Sequence, residues 1–404
     1  MTDKLAKIIM QRCDQLAQFS EIEGQLSRGF LTKPMIATHD LVKKWMQEAN
    51  MITRLDAVGN LIACKTSHNK NAKTLLIGSH LDTVRNAGKY DGIIGVLIAI
   101  AAVEILKDKE LPFHIDVVAF SEEEGVRYKT PMFGSKAVIG KFDNGYLDLV
   151  DNDGISMKQA LINYGLDPHK IPQAAYKPKG VLGFLEVHIE QGPRLAAMDK
   201  PVAIVSAING ATWATASFVG KAGHAGTSPM DLRQDALVAT AEIIIELEKI
   251  ALSTDGLVGT VGQLEVRPGS SNVIPALTEF SLDIRHSEDK VRQQAVDKLL
   301  ARADDLAKKR KLEFNYCENT IHKATAMDSN FINILKEIDP LLPIMPSGAG
   351  HDAMILAEFT PTAMLFVRSP NGISHNPEEI VWEEDIEAAL SVVVRFIEKL
   401  ANLK

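Results

Sequence analysis

Histidines and carboxylates gather at a few points of this 404-residue chain in a pattern that suits metal chemistry. His80 and Asp82 follow the apolar run 74–79, and Glu122, Glu123 and Glu124 follow the run 115–121. His188 and Glu190 close the run 184–187, and His375 lies beyond the run 362–367. Asp91 stands between the first run and a long apolar stretch, 92–106. Taken singly, each is unremarkable. A lone histidine is more often a surface or core residue, Asp-Gly is a common turn, and an acidic run is usually a solvated face. Acids placed directly after Val117-Val118-Ala119-Phe120 are different, because adjacent buried carboxylates repel unless cations sit among them. Imidazole together with carboxylate suits zinc or manganese better than magnesium or calcium.

The elements that must carry these groups follow from hydrophobic patterning. The runs 74–79 and 115–121 read as buried strands flanking a helix over 92–106, with Asp91 as its N-cap. Strands at 184–189 and 362–367 and helices over 1–19 and 35–49 complete the pattern. This β-α-β order implies a mostly parallel sheet with helices on both faces, and such sheets bind ligands beyond the carboxyl ends of their strands. The region 209–318 has another rhythm: strand 211–219, helix 229–252, strands 257–266 and 277–286, helix 287–311, strand 312–317. That is the β-α-β-β-α-β, ferredoxin-like order. A chain of this length exceeds one core, since cores stop growing at roughly 250–300 residues. The expected architecture is α/β: a catalytic metal-binding domain of 1–208 and 322–404, with a mixed sheet flanked by helices. Inserted within it, 209–321 would form an α+β ferredoxin-like lid/dimerisation domain. The inserted sheet leaves an edge or face to be covered, and a second copy of the chain is the expected partner, giving a homodimer.

Composition excludes other classes. A net charge of −8 offers no basic stripe for nucleic acid or anionic lipid. The longest apolar run, 93–103, has 11 residues, short of the ~20 that a bilayer demands. The N-terminus reads as an amphipathic helix without a signal-peptide core. Cys13, Cys64 and Cys317 are far apart and form no CxxC, which suits a reducing compartment. The expectation is a cytoplasmic enzyme with a small-molecule substrate and neither nucleic-acid nor membrane partners.

Several stretches then carry a resemblance. His80-Leu81-Asp82-Thr83-Val84, Gly88-Lys89-Tyr90-Asp91-Gly92 and Glu123-Glu124-Gly125-Val126-Arg127-Tyr128 resemble the metal signature of the dinuclear M20-type metallohydrolases. Glu186-Val187-His188-Ile189-Glu190-Gln191-Gly192-Pro193, Gly223-His224-Ala225-Gly226 and Gly350-His351-Asp352-Ala353 narrow it. They are similar to the N-carbamoyl-L-amino-acid hydrolase branch, which includes allantoate amidohydrolase and β-ureidopropionase. Peptidase relatives have a second acid or Asn where this chain has Gly92, and many use an acid where it has His188.

The resemblance implies two divalent metal ions per subunit, zinc or manganese. His80, Asp91 and His188 would hold one; Asp91, Glu124 and His375 would hold the other. Asp82 would orient the His80 ring. Glu123, facing away from Glu124 if the segment is extended, would move the proton from water to the leaving nitrogen. His224 would stabilise the oxyanion, from the partner subunit. Arg285 would clamp a substrate carboxylate, with hydrogen bonds from Gln191 and Asn272 and a backbone contact from Gly350. Glu122 is left to structure and Arg233 unassigned. The implied reaction cleaves a ureido C–N bond in a small carboxylate substrate. Allantoate comes first, and the alternatives are N-carbamoyl-L-amino acids or β-ureidopropionate. More distant is an M20 aminoacylase or dipeptidase.

Overall fold

Parallel strands buried on both faces read as near-continuous apolar runs. In the computed structural model, which describes residues 2–403, those runs become the middle of a mixed sheet. In chain order the strands are β1 (Ile52–Leu55), β2 (Leu61–Lys65), β3 (Thr74–His80), β4 (His114–Phe120), β5 (Val181–Ile189) and β6 (Val202–Ile208). There follow β7 (Gly210–Val219), β8 (Val258–Thr260), β9 (Leu264–Arg267), β10 (Leu277–His286) and β11 (Glu313–His322). The last are β12 (Thr325–Ala326), β13 (Ile344–Ser347) and β14 (Thr362–Val367).

The large sheet has the order β1-β2-β4-β3-β5-β14-β6-β12, with β13 also on β6. The pairs β4/β3, β3/β5 and β5/β14 are parallel, whereas β1/β2, β2/β4 and β14/β6 are antiparallel. The mixed sheet expected from the pattern is therefore present. Four carboxyl ends, those of β4, β3, β5 and β14, open on one edge.

Alternation along β5 divides its two faces. Leu185, Val187 and Ile189 join a core with the helices Thr2–Leu16, Ile93–Ile105 and Glu383–Asn402. On the other face Glu186 accepts the Ala353 N–H of the short helix Asp352–Leu356 at 2.8 Å. The helix expected over 1–19 runs Thr2–Leu16, Met1 lying outside the described residues. The Ile93–Ile105 helix is apolar on all sides and buried nearly throughout. Its packing depends on Gly95, where a Cβ would lie 2.0 Å from the Val187 carbonyl oxygen.

Residues Ala207–Ala326 with Pro346–Gly348 form a second unit, with its own core from Phe218, Phe280, Leu282, Ile243, Leu247, Leu299 and Leu306. Its sheet runs β11-β7-β10-β8 with β9 also on β10, all antiparallel, the strand order of a ferredoxin-like fold. Two local expectations are corrected. The strand expected over 257–266 is two strands, because Ser281 Oγ takes the N–H groups of Gly262 (3.2 Å) and Gln263 (3.0 Å) and interrupts the ladder. The helix expected from 229 begins at Ala236, where the Asp235 carboxylate caps the N–H groups of Leu237 and Val238.

Gly95→Ala tests the packing of the long apolar helix. Overpacking of this kind costs about 1–3 kcal/mol or more. Thermal or urea unfolding is expected to show at least that loss, and an unchanged midpoint would contradict the close approach.

Candidate metal centre

The strand ends are level. His80, the last residue of β3, pairs in register with Phe120 of β4, and His188 of β5 pairs with Phe366 of β14. The turn carrying Asp91 passes over this edge. A Cβ at Gly92 would lie 2.4 Å from the His80 ring, and Gly92 itself has φ 68°, so glycine is required there. Gly92, not Asp91, is the helix N-cap, which corrects the expectation and leaves the Asp91 carboxylate free for other partners.

Hydrogen bonding fixes how the two buried imidazoles are oriented. His80 Nδ1 lies 3.0 Å from the Asp82 carbonyl oxygen and His188 Nδ1 2.9 Å from that of Ile189. A carbonyl can only accept, so both Nδ1 atoms carry protons. The two Nε2 atoms then face each other at 3.4 Å and face Asp91 Oδ1 at 3.5 Å (His80) and 3.0 Å (His188). Three acceptor atoms converging in a buried place require positive charge between them, a proton or a metal ion. Asp91 Oδ2 faces a second group: His375 Nε2 at 3.3 Å, itself 3.8 Å from Glu124 Oε2. Glu124 Oε1 is buried without a hydrogen-bond partner. Donor atoms of His80, Asp91 and His188, of His80, Glu123 and Glu124, and of Asp91, Glu124 and His375 lie close enough in each trio to share an ion. Nitrogen and carboxylate donors in this arrangement fit a divalent cation.

The electrostatics carry the same signature. Burial opposes charge on His80, yet Glu123, Asp91, Asp82 and Glu124 outweigh it and hold its pKa well above the usual value. Burial likewise opposes charge on His188, and Asp91 outweighs it. Burial would raise Asp91, but His188, His375 and His80 hold it well below the ordinary carboxylate range. Burial drives Glu123 well above that range, helped by Glu124, Asp352 and Asp82, and lifts Glu124 to about 7.

Asp82 does two things. Its carbonyl holds the His80 ring, while its carboxylate takes the N–H of Glu123 (Oδ1, 3.2 Å) and Glu124 (Oδ2, 3.0 Å). Asp82, expected to orient the ring, meets it through this carbonyl, and its carboxylate lies 3.6 Å from Nδ1. The acidic segment is not extended either: Glu122 has φ 52° and Gly125 φ 67°. The opposed orientation expected of Glu123 and Glu124 therefore has no basis in strand alternation. Instead Glu123 Oε2 reaches to 3.8 Å from His80 Nε2 and Glu124 turns to His375. Glu122 is fully buried and accepts the N–H of Arg127 (2.9 Å) and Tyr128 (3.4 Å), a scaffold role.

Gln191 enters the second group directly, its Nε2 lying 2.8 Å from Asp91 Oδ2 and 3.3 Å from His375 Nε2. Gly350 precedes His351, whose ring centroid is 4.4 Å from that of His188. His224, Asn272 and Arg285 belong to the second unit and to none of the metal-like groupings. There the Ala225 N–H donates to the Asn272 carbonyl (2.9 Å), and His224 bridges Val273. The Gly226 N–H donates to His224 Nδ1 at 3.1 Å, so in the neutral ring Nε2 carries the proton. Arg233 precedes its helix and staples this loop through the carbonyls of Ser228 (3.1 Å) and Ala225 (2.5 Å). Arg285 already has partners: its fork is on Asp283 at 2.8 and 2.7 Å, and Nη1 donates to the Gly348 carbonyl at 2.8 Å.

Pattern reading misses Glu379, Ser374, Glu186 and Arg28. Glu186 accepts the Ser79 hydroxyl at 2.9 Å. Arg28, fully buried, donates Nε to the Leu81 carbonyl at 2.9 Å, beneath the His80–Asp82 turn. Glu379 takes the N–H groups of Tyr90 and Asp91. Of these, Glu186 stands in a stretch that carries the resemblance, and Glu379 has as its signal the small residue Gly88 that makes room for it.

Residues 76–399 match the model of peptidase family M20/M25/M40. An N-carbamoyl-L-amino-acid amidohydrolase of Pseudomonas sp. (strain NS671) is 40% identical over 369 residues, 89% of each chain. An allantoate deiminase of Arabidopsis thaliana is 35% identical over 424 residues, covering 96% of this chain and 81% of that one. The crystal structure of an amidase of the hydantoinase/carbamoylase family from Burkholderia multivorans superposes with a TM-score of 0.90 at 31% identity, covering 98% of both.

Divalent metal is expected to stabilise the protein. A ligand bound only by the folded state adds about 2.7 kcal/mol at a hundredfold excess over its Kd. Zinc or manganese should raise the melting temperature of chelator-treated protein, and His188→Ala should reduce that rise. A melting temperature indifferent to metal would count against the site.

Proposed function

The chain belongs to peptidase family M20/M25/M40, and we propose that within it this enzyme hydrolyses a ureido C–N bond of a small carboxylate-bearing substrate, with allantoate first. The observation that carries this reading is the convergence of His80, Asp91, His188, Glu124 and His375 with Glu123 beside them. The imidazole at His188 and the glycine at 92, where any side chain would strike His80, favour it over a peptidase. N-carbamoyl-L-amino acids are the second reading, favoured by the 40% identity to the Pseudomonas enzyme.

The centre would hold two divalent ions, zinc or manganese: one on His80, Asp91 and His188, the other on Asp91, Glu124 and His375. When bound, such ions acidify a water and polarise the carbonyl it attacks. Glu123 receives the proton of the attacking water and returns it to the leaving nitrogen, a role suited to a carboxyl whose pKa burial has raised. His224 offers Nε2–H to the oxygen that gains charge in the transition state. Arg285 binds the substrate carboxylate, sharing or releasing Asp283. Asn272, Gln191 and Gly350 add hydrogen bonds. We assign His224 to the active site of the partner subunit in a homodimer formed through the inserted region. Cys13, Cys64 and Cys317 are unpaired, in keeping with a reducing, cytoplasmic setting.

Ammonia release by the manganese-reconstituted enzyme, measured across allantoate, N-carbamoyl-L-amino acids and β-ureidopropionate, tests the substrate. Activity confined to dipeptides or N-acyl amino acids would overturn the ureido reading. Glu123→Gln is expected to keep its metal yet lose roughly 10²–10⁴-fold in kcat. Glu124→Gln should instead weaken metal binding; elemental analysis showing the reverse would exchange the two roles. Mixing inactive His224→Ala and Glu123→Gln subunits should restore part of the activity once subunits exchange. No recovery after proven exchange would place His224 in its own subunit's site.

A further inference from the structure

Asp91 is useful only in one rotation. Its Oδ1 faces His188 and His80 while Oδ2 faces His375, and tilting the carboxylate plane about Cβ–Cγ, short of the half-turn that exchanges its equivalent oxygens, would break both groupings. We propose that Glu379 and Ser374 form a latch that fixes this rotation and fastens the loop carrying His375 to the turn carrying Asp91. The proposal rests on the metal reading above and deepens it.

Glu379 is an anomaly in its own segment. Asn376, Pro377, Glu378 and Ile380 are exposed, yet Glu379 is only 2% exposed. A turn aims it inward, with the Glu379 N–H on the Asn376 carbonyl at 3.0 Å and the Glu378 N–H on Asn376 Oδ1 at 2.9 Å. Inside, Oε1 accepts the N–H of Tyr90 at 2.8 Å and of Asp91 at 3.2 Å. Its other oxygen, Oε2, is 3.2 Å from Ser374 Oγ, which lies 2.9 Å from Asp91 Oδ2. Glu379 thus holds the backbone of Asp91 directly, and the Ser374 hydroxyl, with one proton to give, stands between the two side chains, nearer to Asp91 Oδ2.

The Asp91 turn is shaped for that grip. A Cβ on Gly88 would lie 2.4 Å from Glu379 Cβ, Cδ and Oε1 alike, so any other residue at 88 displaces the carboxylate. Ser374 immediately precedes His375, which has φ 54° and a half-exposed side chain. The hydroxyl therefore positions Asp91 Oδ2 and, through the backbone, the imidazole that faces it. Glu379 belongs to none of the groupings that could hold an ion, and Ser374 meets Asp91 through its hydroxyl, so both act as positioning residues.

The test titrates the metal-free full-length protein with zinc(II) against a competing chelator and records the cobalt(II) absorption spectrum. Ser374→Ala, which removes one hydroxyl, should weaken the more weakly held ion roughly 10- to 100-fold and change the cobalt spectrum. The melting temperature of the metal-free protein should not move, which a merely structural role would not predict. Glu379→Gln should stay close to wild type, because its Oε1 still accepts both N–H groups and its amide can donate to Ser374. Gly88→Ala should reproduce Glu379→Ala, with losses at least as large as that of Ser374→Ala. Wild-type affinity, stoichiometry and spectrum in Ser374→Ala overturn the latch, and this arm decides alone should the 88 and 379 variants fail to fold. If the wild-type protein itself takes up no divalent ion, the metal reading fails, an outcome distinct from loss of the latch alone.

Discussion

The rest of the structure depends on one electrostatic problem, the burial of many carboxylates at a single sheet edge. Asp82, Asp91, Glu122, Glu123, Glu186, Asp352 and Glu379 are all buried there or close behind it. Carboxylates out of water must be protonated, paired or hydrogen-bonded. Backbone N–H groups satisfy several of them. Glu123 and Glu124 donate to Asp82, Arg127 and Tyr128 to Glu122, Ala353 to Glu186, and Tyr90 and Asp91 to Glu379. Among the acids without such donors, Asp91, Glu123 and Glu124 face the imidazoles. Peptide groups thus hold Asp82, Glu122, Glu186 and Glu379, and the acids that face the cleft keep their capacity for a cation or a proton.

The parallel core makes this concentration possible. Level registers between β3, β4, β5 and β14 bring residues far apart in sequence to one edge, with side chains set by strand alternation. Position in the fold and chemical type then coincide, which is why the ligand candidates are legible in the sequence. A buried apolar run seldom ends in His or in acids unless something at its end uses them, and the motif resemblance points to the same residues. The ferredoxin-like order of the second unit is equally visible, because its strands and helices have distinct hydrophobic periods.

What pattern does not reveal has a common cause. Glu379, Ser374, Arg28 and Glu186 act through hydrogen bonds to segments remote in sequence, and such bonds leave no local period. Spacing pairs Asp82 with the His80 ring but does not tell which of its oxygens reaches it, and the carbonyl is the nearer. Arg285 looks like a free fork in the sequence, yet Asp283, two residues away on the same face of β10, already occupies it. A strand ladder broken by the hydroxyl of Ser281 and a helix delayed to Asp235 likewise turn on single side chains.

The glycines beneath the sheet edge have a consequence for anyone who would stabilise this protein. Gly-to-Ala replacement is a standard route to a stiffer unfolded chain and a higher melting point. Here a Cβ added at Gly78 would lie 1.8 Å from the Val118 carbonyl oxygen, one at Gly95 2.0 Å from that of Val187, and ones at Gly88 and Gly92 2.4 Å from Glu379 and His80. Each empty position is filled by another residue's working atom, so the route is closed where the site is built. Gly24, Gly154 and Gly165 have room, but their positive φ would strain any side chain. Gly180 has both open space and ordinary backbone, and it marks where rigidity can be added without touching the chemistry's foundations.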